Sequence, residues 1–499
     1  MLFKELVKEL TLLATGGDLQ QPVAGIAYDS RQVRPGFLFV AIRGLVTDGH
    51  HFIDDALKRG ASGLLVEQAE GLPDNGIGWT VVADTRRALG HVSARFYGFP
   101  AKQLHIAGVT GTNGKTTTTH LVAALYRLRA PVGLIGTIHN LIGERTLPVE
   151  RTTPESLDLQ LLLRQMVDEG VQRVAMEVSS HALTLNRVAG CDFRSAVFTN
   201  LTQDHLDFHR DMNDYFQAKA SLFLRLGAGA PSVVNVDDPY GVRLVQMLGD
   251  SALTYGLDAR AAVRATEPGI GPRGTEFKVE SEWGRFQVDT RLVGQFNVYN
   301  ALAAVALGLA EGFTPSEIRL ALSGVRGIPG RFEPVYLGQD FGVIVDYAHT
   351  PDGLENVLRA ARKITMGRVI TVFGCGGDRD RTKRPIMGRI AVGCSDLAIV
   401  TSDNPRTEDP LSIIEQVEVG VREVKPSGYL VVPDRREAIG RAIAEARAGD
   451  IVVIAGKGHE DYQIIGKTKF PFDDRLVAAE KLADMGYTLD DETHTWGSL

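Results

Sequence analysis

The chain has 499 residues, enough for about three domains of ordinary size, each able to bury a core of its own. Hydrophobic residues make up 44% and charged residues 23% of the sequence, a balance typical of globular proteins and unlike that of disordered chains. The net charge of -7 speaks against a general nucleic-acid binder, which needs a basic surface. Any phosphate groups must therefore be bound by local features of the chain.

The N-terminus and the cysteines bear on localisation. The first residues, MLFKELVKELTLL, mix Lys and Glu with apolar residues at helical spacing, which predicts a helix rather than a signal peptide. No apolar run approaches the roughly 18 residues of a membrane span. Cys191, Cys375 and Cys394 are widely spaced, form no zinc motif and indicate reduced thiols. We expect a soluble cytoplasmic protein that is a monomer and has no nucleic-acid or membrane partner.

The pattern of strands and helices predicts an α/β fold with three domains. Before Pro100, short strand-like runs such as FLFVAI and GLLVE alternate with turns, which predicts a small α/β domain over residues 1–98. The runs VQRVAMEV, SAVFTNL and SVVNV lack polar alternation, as is typical of parallel strands buried on both faces. They predict a central parallel-sheet domain over residues 99–329.

A Gly-rich segment, GVRGIPGRFE at residues 324–333, separates this region from a new series of strands. We therefore predict a Rossmann-like C-terminal domain over residues 330–499, with a hinge near Gly330. Ligands of open α/β sheets bind beyond the carboxyl ends of the strands, so the loops there are the place to look for a site. The strands are predicted in FGVIVDYAH, GRVITVFGCGG, DLAIVTSDNP, GYLVVPD and DIVVIAGKGHE.

The segment GTNGKTT, residues 111–117, lies between a predicted strand and a predicted helix. In that position backbone N–H groups and the helix N-terminus surround phosphate oxygens, Lys115 reaches the outer phosphates of ATP, and Thr116 binds magnesium. Glu177 ends a strand and is placed to complete the magnesium coordination. Val109 stands where the strict phosphate-loop pattern has Gly. The variant VTGTNGKTT resembles the phosphate loops of the Mur ligases and of the related folylpolyglutamate synthetases.

The resemblance to Mur ligases extends over nearly the whole chain and implies amide formation driven by ATP through an acyl phosphate. It places His205 of DHLDFH and Lys219 at a second metal, with Lys219 carrying a carbamate formed from carbon dioxide. Without the resemblance, the local sequence predicts that Lys219 is an ordinary lysine on a helix surface. A carbamate would offer anionic oxygen to a dication, whereas an ammonium would repel it. The resemblance thus implies catalytic residues Lys115, Glu177, His205 and Lys219, and magnesium ligands Thr116, Glu177, His205 and carbamylated Lys219.

The same resemblance implies the contacts of ATP. Two Asn residues of QFNVYNALAA line the adenine site, Arg331 reaches the phosphates, Asp346 reaches the ribose, and His349 assists. The implied ATP-binding residues are Gly111, Thr112, Asn113, Gly114, Lys115, Thr116, Thr117, Asn297, Asn300, Arg331 and Asp346.

The acceptor substrate is also implied by resemblance. AYDSRQVRPGFLFVAI, residues 27–42, is similar to the uridine-binding domain of those family members that add the third amino acid to UDP-N-acetylmuramoyl-L-alanyl-D-glutamate. Leu185 stands where some relatives have Gln, which puts that one contact with the dipeptide in doubt. The residues implied to bind this substrate are Ser30, Thr152, Thr153, Ser179 and Arg187.

The incoming amine is expected to be meso-diaminopimelate. In DNPR, residues 403–406, Pro405 fixes the backbone and Arg406 offers a planar fork of donors suited to a carboxylate. Meso-diaminopimelate has a carboxylate at its far end, whereas the rival substrate L-lysine does not. Glu460 is expected to hold the distal ammonium. Further basic residues near Arg379 could be simply solvated. The implied diaminopimelate-binding residues are Arg379, Asp403, Asn404, Pro405, Arg406, Gly456 and Glu460.

Three alternatives stay open at the level of sequence. The first is a Mur ligase that adds L-lysine. The second is a ligase like folylpolyglutamate synthetase, although that family lacks the N-terminal uridine domain and the DNPR loop. The third is a nucleotide-dependent switch that hydrolyses ATP without forming an amide.

Overall fold

The structure is a computed structural model that describes residues 1–44, 47–72, 76–149, 151–271, 274–425 and 427–488. The chain divides into two compact units, each built from several segments, and each is described by itself. The first unit comprises Met1–Thr110, Arg129–Ala196 and Ala218–Ser232, and the second comprises Gly111–Leu128, Val197–Gln217 and Val233–Leu499. None of the helices in the described ranges combines the length and the apolar character needed to cross a bilayer. The domain limits at residues 98 and 329 stay a prediction.

The N-terminal region is the small α/β assembly that the sequence predicts. Its elements are α1 (Phe3–Val7), β1 (Ala14–Gly16), β2 (Gly25–Ala27), β3 (Phe37–Val40), α2 (Ile53–Lys58), β4 (Gly63–Val66), β5 (Gly78–Val81) and α3 (Thr85–Phe96). The five strands form one sheet in the order β1-β5-β4-β3-β2, parallel except for β1. One face packs on α1 and α3 through residues such as Phe3, Leu38 and Val92. The apolar strands are therefore covered by helices.

The middle region begins with a strand, a loop and a helix. Its elements up to residue 235 are α4 (Pro100–Gln103), β6 (His105–Thr110), α5 (Lys115–Arg127), β7 (Val132–Ile135), β8 (Asn140–Ile142), β9 (Arg145–Leu147), α6 (Ser156–Asp168), β10 (Arg173–Glu177), α7 (Ser180–Thr184), β11 (Phe193–Phe198), α8 (Met212–Phe223) and β12 (Ser232–Asn235). The runs predicted as strands in this region are confirmed as β10, β11 and β12. Strand β10 pairs in parallel with both β6 and β7, and its register places Glu177 opposite Val109.

The rest of the middle region adds four strands and three helices. These elements are α9 (Pro239–Leu248), β13 (Ala252–Gly256), β14 (Val263–Gly271), β15 (Gly274–Ser281), β16 (Gly284–Thr290), α10 (Gln295–Ala310) and α11 (Pro315–Gly324). Strands β14, β15 and β16 pair in antiparallel order. Helix α10 is buried along most of its length, which agrees with its apolar sequence.

The C-terminal region forms a six-stranded sheet with helices on both faces. Its elements are β17 (Glu333–Pro334), β18 (Gly342–Asp346), α12 (Pro351–Ile364), β19 (Val369–Phe373), α13 (Lys383–Cys394), β20 (Leu397–Val400), α14 (Pro410–Val424), β21 (Leu430–Val431), α15 (Arg435–Glu445), β22 (Ile451–Ala455), β23 (Tyr462–Ile465), β24 (Thr468–Pro471) and α16 (Asp474–Asp484). The sheet order is β17-β18-β22-β19-β20-β21, parallel except for β17.

Alternation along these strands explains the two layers of helices. Val369 and Phe373 face the core shared with α12, α13 and α14, while Ile370 and Val372 face the core shared with α15 and α16. Both faces are covered, so the strands are apolar throughout, and their polar residues collect in the loops at the carboxyl ends.

Candidate functional site

The loop between β6 and α5 is shaped by glycines. Gly114 has φ +82°, and a Cβ there would lie 2.3 Å from Oδ1 of Asn300. Gly111 has φ +151°, and a Cβ there would lie 1.8 Å from Oγ1 of Thr199. Only glycine allows both this backbone conformation and these approaches. The ammonium of Lys115 folds back over the loop and donates to the carbonyl oxygens of Gly111, at 2.9 Å, and Thr112, at 2.7 Å.

The segment after β11 holds this loop in place. The backbone N–H of Asn113 donates to Oδ1 of Asn200 at 2.9 Å, and the hydroxyl of Thr199 donates to the carbonyl of Asn113 at 2.6 Å. The N–H of Thr202 donates to the hydroxyl of Thr112 at 3.0 Å. The sequence did not reveal this support, because polar residues after a strand carry no mark of the loop that they contact.

Two residues of the C-terminal region reach the same loop within the second unit. Arg331 donates from Nη2 to the hydroxyl of Thr116 at 2.9 Å, and its guanidinium lies over the ring of Tyr347 at 4.8 Å. Asp352 accepts a hydrogen bond at 2.6 Å from the side-chain amide of Asn113. Arg331 was predicted at the phosphates from resemblance, whereas Asp352 was not singled out.

The residues predicted at the adenine and ribose also lie in the second unit. The side-chain amide of Asn300 donates to Oδ1 of Asn297 at 2.9 Å, which joins the two side chains near the start of α10. Asp346 ends β18, is 8% exposed, and accepts a hydrogen bond from the N–H of Phe332 at 2.6 Å. Burial raises the pKa of Asp346 to about 6, and the nearby Arg331 opposes that shift. Thr117 is buried in the first turn of α5.

A compact charged cluster surrounds His205 in the second unit. Nε2 of His205 lies 3.4 Å from the carboxylate of Asp204, and Nζ of Lys383 lies 3.8 Å from the other oxygen of that carboxylate. Burial acts to raise the pKa of Asp204, but the charges of His205, Lys383 and His349 hold it well below its usual range. Burial and Lys383 lower the pKa of His349 to about 4. Asp204 is thus a buried anion among basic groups.

The sequence left open whether the basic residues near Arg379 are simply solvated, and two of them are buried. Lys383 is 5% exposed and Arg384 is fully buried, where it donates to both oxygens of Glu408 at 3.0 and 2.9 Å. Arg381 is largely exposed, although it also pairs with Glu408. Burial of Lys383 and Arg384 depends on contacts distant in the chain, which is why the local sequence does not show it.

Glu177 and the substrate residues Thr152, Thr153, Ser179 and Arg187 come together in the first unit. Thr137 links the first two of them: its hydroxyl donates to Oε2 of Glu177 at 3.0 Å and lies 3.1 Å from the hydroxyl of Thr152. The hydroxyl of Thr153 donates to the carbonyl of Glu177 at 2.9 Å and accepts from the N–H of Ser179 at 3.2 Å.

Arg187 and Ser30 are each held by a hydrogen bond within the first unit. Arg187 donates to the carbonyl of Thr153 at 3.3 Å. Ser30 is buried at the start of a short 3-10 helix, and its hydrogen bond to Asp55 lowers the pKa of that carboxyl. A contact of Ser30 with the uracil nucleotide stays a prediction.

Lys219 lies in the first unit and is not the surface lysine that its local sequence predicts. It lies on α8 and is 1% exposed. Within the ranges that the structure describes, no three His, Cys, Asp or Glu side chains group closely enough to hold a metal ion. The predicted set has only two such side chains and relies for the rest on a hydroxyl and a carbamate.

The predicted diaminopimelate residues meet beyond the carboxyl ends of β20 and β22. The amide of Asn404 donates to Oε2 of Glu460 at 2.8 Å, and Oδ1 of Asn404 accepts from the N–H of Ile464 at 2.8 Å. Gly456 has φ +121°, and a Cβ there would lie 2.5 Å from Oδ2 of Asp403. The GKGHE turn therefore approaches the DNPR loop closely, with glycine required at the contact.

Lys457 is a residue of this site that sequence reasoning missed. Its side chain is fully buried, and its ammonium lies 2.8 Å from Oε2 of Glu460 and 3.2 Å from Oδ1 of Asn404. Burial raises the pKa of Glu460, while Lys457 opposes that shift. A lysine between two glycines in a strand-end turn gave no local signal of this position.

Arg406 and Arg379 lie near each other, and within the described residues their guanidinium groups donate to backbone carbonyl oxygens. Arg406 donates to the carbonyl of Gly377 at 2.9 Å, and Arg379 donates to that of Asp378 at 2.9 Å. Burial lowers the pKa of Arg406, and the charge of Arg379 lowers it further. Across the described ranges, neither guanidinium forms an ion pair with a carboxylate. The two cations together are suited to a ligand carboxylate.

A phosphate loop, charged loops at the ends of parallel strands and a doubly covered C-terminal sheet define an ATP-using α/β enzyme. Family models agree: "Mur ligase family, catalytic domain" matches residues 22–97, "Mur ligase middle domain" matches 109–308, and "Mur ligase, glutamate ligase domain" matches 330–458. The chain belongs to the Mur ligase family and has its three-domain architecture.

Three similar proteins share the name UDP-N-acetylmuramoyl-L-alanyl-D-glutamate--2,6-diaminopimelate ligase. The protein of that name from Geobacter metallireducens is 48% identical, covering 97% of this chain and 99% of its own. The one from Syntrophomonas wolfei is 47% identical, covering 96% and 98%. A solved structure with the same name has a TM-score of 0.68 and 34% identity, covering 98% of this chain and all of its own.

Proposed function

We propose that this chain is an ATP-dependent ligase of peptidoglycan precursor synthesis. It joins the amine of meso-2,6-diaminopimelate to the γ-carboxyl of D-glutamate in UDP-N-acetylmuramoyl-L-alanyl-D-glutamate, and it releases ADP and phosphate. The observation that carries the choice of amine is the pair Arg406 and Arg379, two cations without a carboxylate partner among the described residues. The names of the relatives support the same reaction.

The first chemical step converts the substrate carboxylate into an acyl phosphate. A carboxylate oxygen attacks the γ-phosphorus of ATP, the bond from that phosphorus to the bridging oxygen breaks, and ADP leaves. Charge is the main obstacle, because both reactants are anions. In this proposal Lys115 and Arg331 supply the positive charge at the phosphates. Their bonds to loop carbonyls and to Thr116 support this, because they place both cations at the phosphate loop already.

The second step is attack of the amine on the acyl carbon, which expels phosphate. The amine must lose a proton to become nucleophilic, and water must be kept away from the acyl phosphate. His349 is partly buried and has a pKa near 4, so it is neutral at pH 7 but too weak a base to take a proton from an ammonium. Asp204 and Lys383 hold its surroundings at a fixed charge.

Magnesium is the metal that the donor chemistry favours. Thr116 and Glu177 would hold one ion, His205 and a carbamate on Lys219 would serve a second, and hydroxyl and carboxylate oxygens are ligands that magnesium prefers. Bound there, the metal would neutralise phosphate charge during transfer. Glu177 is completely buried and fixed by two hydrogen bonds from Thr137, at 2.8 and 3.0 Å, so its carboxylate is oriented in advance. The carbamate would supply the anionic oxygen that an ammonium lacks.

The acceptor substrate would bind along the first unit. Thr152, Thr153, Ser179 and Arg187 offer hydroxyls and a guanidinium close to Glu177, which supports their role as contacts of the acidic dipeptide. Ser30 would meet the uracil nucleotide at the other end.

A folylpolyglutamate synthase from Mycobacterium tuberculosis shares the fold with a TM-score of 0.61 and 18% identity. That likeness concerns the fold alone.

Phosphate release tests the proposal directly. Enzyme, ATP and magnesium are combined with UDP-N-acetylmuramoyl-L-alanyl-D-glutamate and either meso-diaminopimelate or L-lysine, and the product is identified by mass spectrometry. We expect release and a tripeptide product with meso-diaminopimelate, and little of either with L-lysine. Equal use of both amines would refute the specificity. Release of phosphate without the UDP-linked substrate would favour the nucleotide switch, and use of a folate would favour a ligase like folylpolyglutamate synthetase.

A further inference from the structure

Three arginines surround a single buried carboxylate in the first unit. Glu155, at the start of α6, is 6% exposed. Its carboxylate lies 2.8 Å from Nε of Arg187, 3.2 Å from Nη1 of Arg151 and 3.4 Å from Nη1 of Arg86. Arg86 comes from α3, so the cluster joins the N-terminal region to the segment that carries the predicted dipeptide contacts.

The positive charge of this cluster exceeds its negative charge. Three guanidinium groups lie near two carboxylates, Glu155 and Asp158, the latter also accepting the hydroxyl of Tyr28 at 2.8 Å, so the cations outnumber the anions by one. The side chains of Arg86 and Arg187 are only 16% and 13% exposed, so water screens them weakly. Burial lowers the pKa of Arg187, and Arg151 and Arg86 lower it further against the pull of Glu155. Burying like charges together is unfavourable unless another anion joins them.

Both buried guanidinium groups are oriented by backbone oxygens as well as by Glu155. Arg86 donates from Nε to the carbonyl of Arg43 at 2.9 Å, and Arg187 donates from Nη1 to the carbonyl of Thr153 at 3.3 Å. These bonds leave further N–H groups on each fork for a ligand. Thr153 and Ser179 lie beside Arg187, so a ligand that meets them is within reach of the cluster.

We propose that Arg86 is a second cationic contact, next to Arg187, for an anionic group of the UDP-linked substrate, and that Glu155 positions both guanidinium groups. This inference rests on the proposed function. Planar guanidinium forks bind phosphates and carboxylates equally well. The substrate carries both: a diphosphate in the nucleotide and carboxylates in the muramoyl dipeptide. The shared chemistry is an oxyanion, and the choice between the two sources is left to the ligands of the test.

Binding is measured by calorimetry on the full chain with UDP, UDP-N-acetylmuramic acid and UDP-N-acetylmuramoyl-L-alanyl-D-glutamate, and in parallel with ATP. The variants are Arg86→Ala, Arg86→Lys and Arg87→Ala. Arg87 is the matched control, because it neighbours Arg86 on α3 and is exposed. We expect Arg86→Ala to weaken the binding of the complete substrate by roughly 10- to 100-fold, because a charge-assisted hydrogen bond is lost. Arg86→Lys should lie between, and Arg87→Ala should match the unmodified chain.

The three ligands identify the anion. An equal loss for UDP indicates the diphosphate, and a loss confined to the dipeptide form indicates a carboxylate of the peptide. If Arg86 had a structural role alone, Arg86→Ala would weaken the binding of ATP by the same factor, or it would lower the melting temperature and leave the affinity for every ligand unchanged. Either result overturns the inference. If the unmodified chain binds none of the three uridine ligands, the proposed function fails instead.

Discussion

Arg331 and Thr116, separated by 215 positions in the chain, are joined by a hydrogen bond of 2.9 Å from Nη2 to the threonine hydroxyl. One is the proposed phosphate contact of the C-terminal region, and the other is the proposed magnesium ligand of the phosphate loop. The bond holds the guanidinium of Arg331 at the phosphate loop. ATP and magnesium would therefore have to take this hydroxyl from Arg331, which would turn toward the phosphates.

Replacement of Arg331 by Ala should lower kcat/KM for ATP by roughly 10- to 100-fold, because a charged hydrogen-bond donor at the phosphates is lost. Arg326→Ala is the control, since Arg326 belongs to the same Gly-rich segment but is exposed. Steady-state phosphate release at varied ATP gives the values. A variant at position 331 that behaves like Arg326→Ala would remove Arg331 from the ATP site.

The pKa of Asp346 predicts a pH-dependent stability. Burial raises that pKa from its ordinary value of 3.8 to about 6. The folded chain therefore binds a proton here that the unfolded chain has released, and stability contributed by this proton is lost as pH rises from about 4 to about 6. Above that range the buried anion costs at most about 3 kcal/mol. Asp346→Asn should remove the cost.

The check is the melting temperature of Asp346→Asn minus that of the unmodified chain, followed over this pH range. The difference should grow with rising pH and level off above about pH 6. The same variant should use ATP poorly, because an amide cannot match a carboxylate as acceptor for two ribose hydroxyls. A melting difference that is flat across the range contradicts the shifted pKa of Asp346.

Lys457 should act on the amine substrate through Glu460. Its ammonium opposes the rise that burial gives the pKa of Glu460, so Lys457→Met should raise that pKa further and favour the protonated, neutral acid. A neutral Glu460 binds the distal ammonium of diaminopimelate weakly. We expect a KM for diaminopimelate raised about tenfold or more, with the KM for ATP unchanged and partial recovery in Lys457→Arg. Lys467→Met, in the exposed turn between β23 and β24, is the control.

The burial of Lys219 leads to a prediction that does not depend on activity. A carbamate formed with labelled bicarbonate should give a carbon-13 NMR signal that is missing from Lys219→Ala. In addition, activity of the unmodified chain should fall when carbon dioxide is removed from the buffer and recover when bicarbonate returns. Full activity in a sample that shows no carbamate signal would count against the modification.

Magnesium removal by a chelator should abolish phosphate release while the tertiary fold persists.

Local patterns in the sequence predicted the parts of the site that lie within one strand and its following loop. The glycines around Lys115 and the strand end at Asp346 are of this kind, since each depends on a few neighbouring residues. Residues brought together from distant segments were missed. Lys383 meets Asp204, and Arg86 meets Glu155, only because separate elements pack side by side. Burial of a charge is set by that packing, so single-sequence reasoning described Lys219 as a surface residue and left the burial of Lys383 and Arg384 open.

Arg406 should determine which amine is used. Diaminopimelate ends in an ammonium and a carboxylate, whereas lysine ends in an ammonium alone, so only diaminopimelate offers a partner to the Arg406 fork. Arg406→Ala should lower kcat/KM for diaminopimelate by roughly 100-fold and leave the weak use of lysine nearly unchanged. Arg406→Lys should restore little, because an ammonium cannot bind a carboxylate through two parallel hydrogen bonds.

The comparison of Arg406 with Lys457 separates two contributions to this choice. Lys457 acts on the distal ammonium, which both amines carry, so Lys457→Met should harm diaminopimelate and lysine by similar factors. Arg406 acts on the distal carboxylate, so its loss should narrow the preference between them. The ratio of kcat/KM for the two amines measures this directly. A ratio changed by Lys457→Met but not by Arg406→Ala would reverse the assignment, and Glu460 rather than Arg406 would then set the specificity.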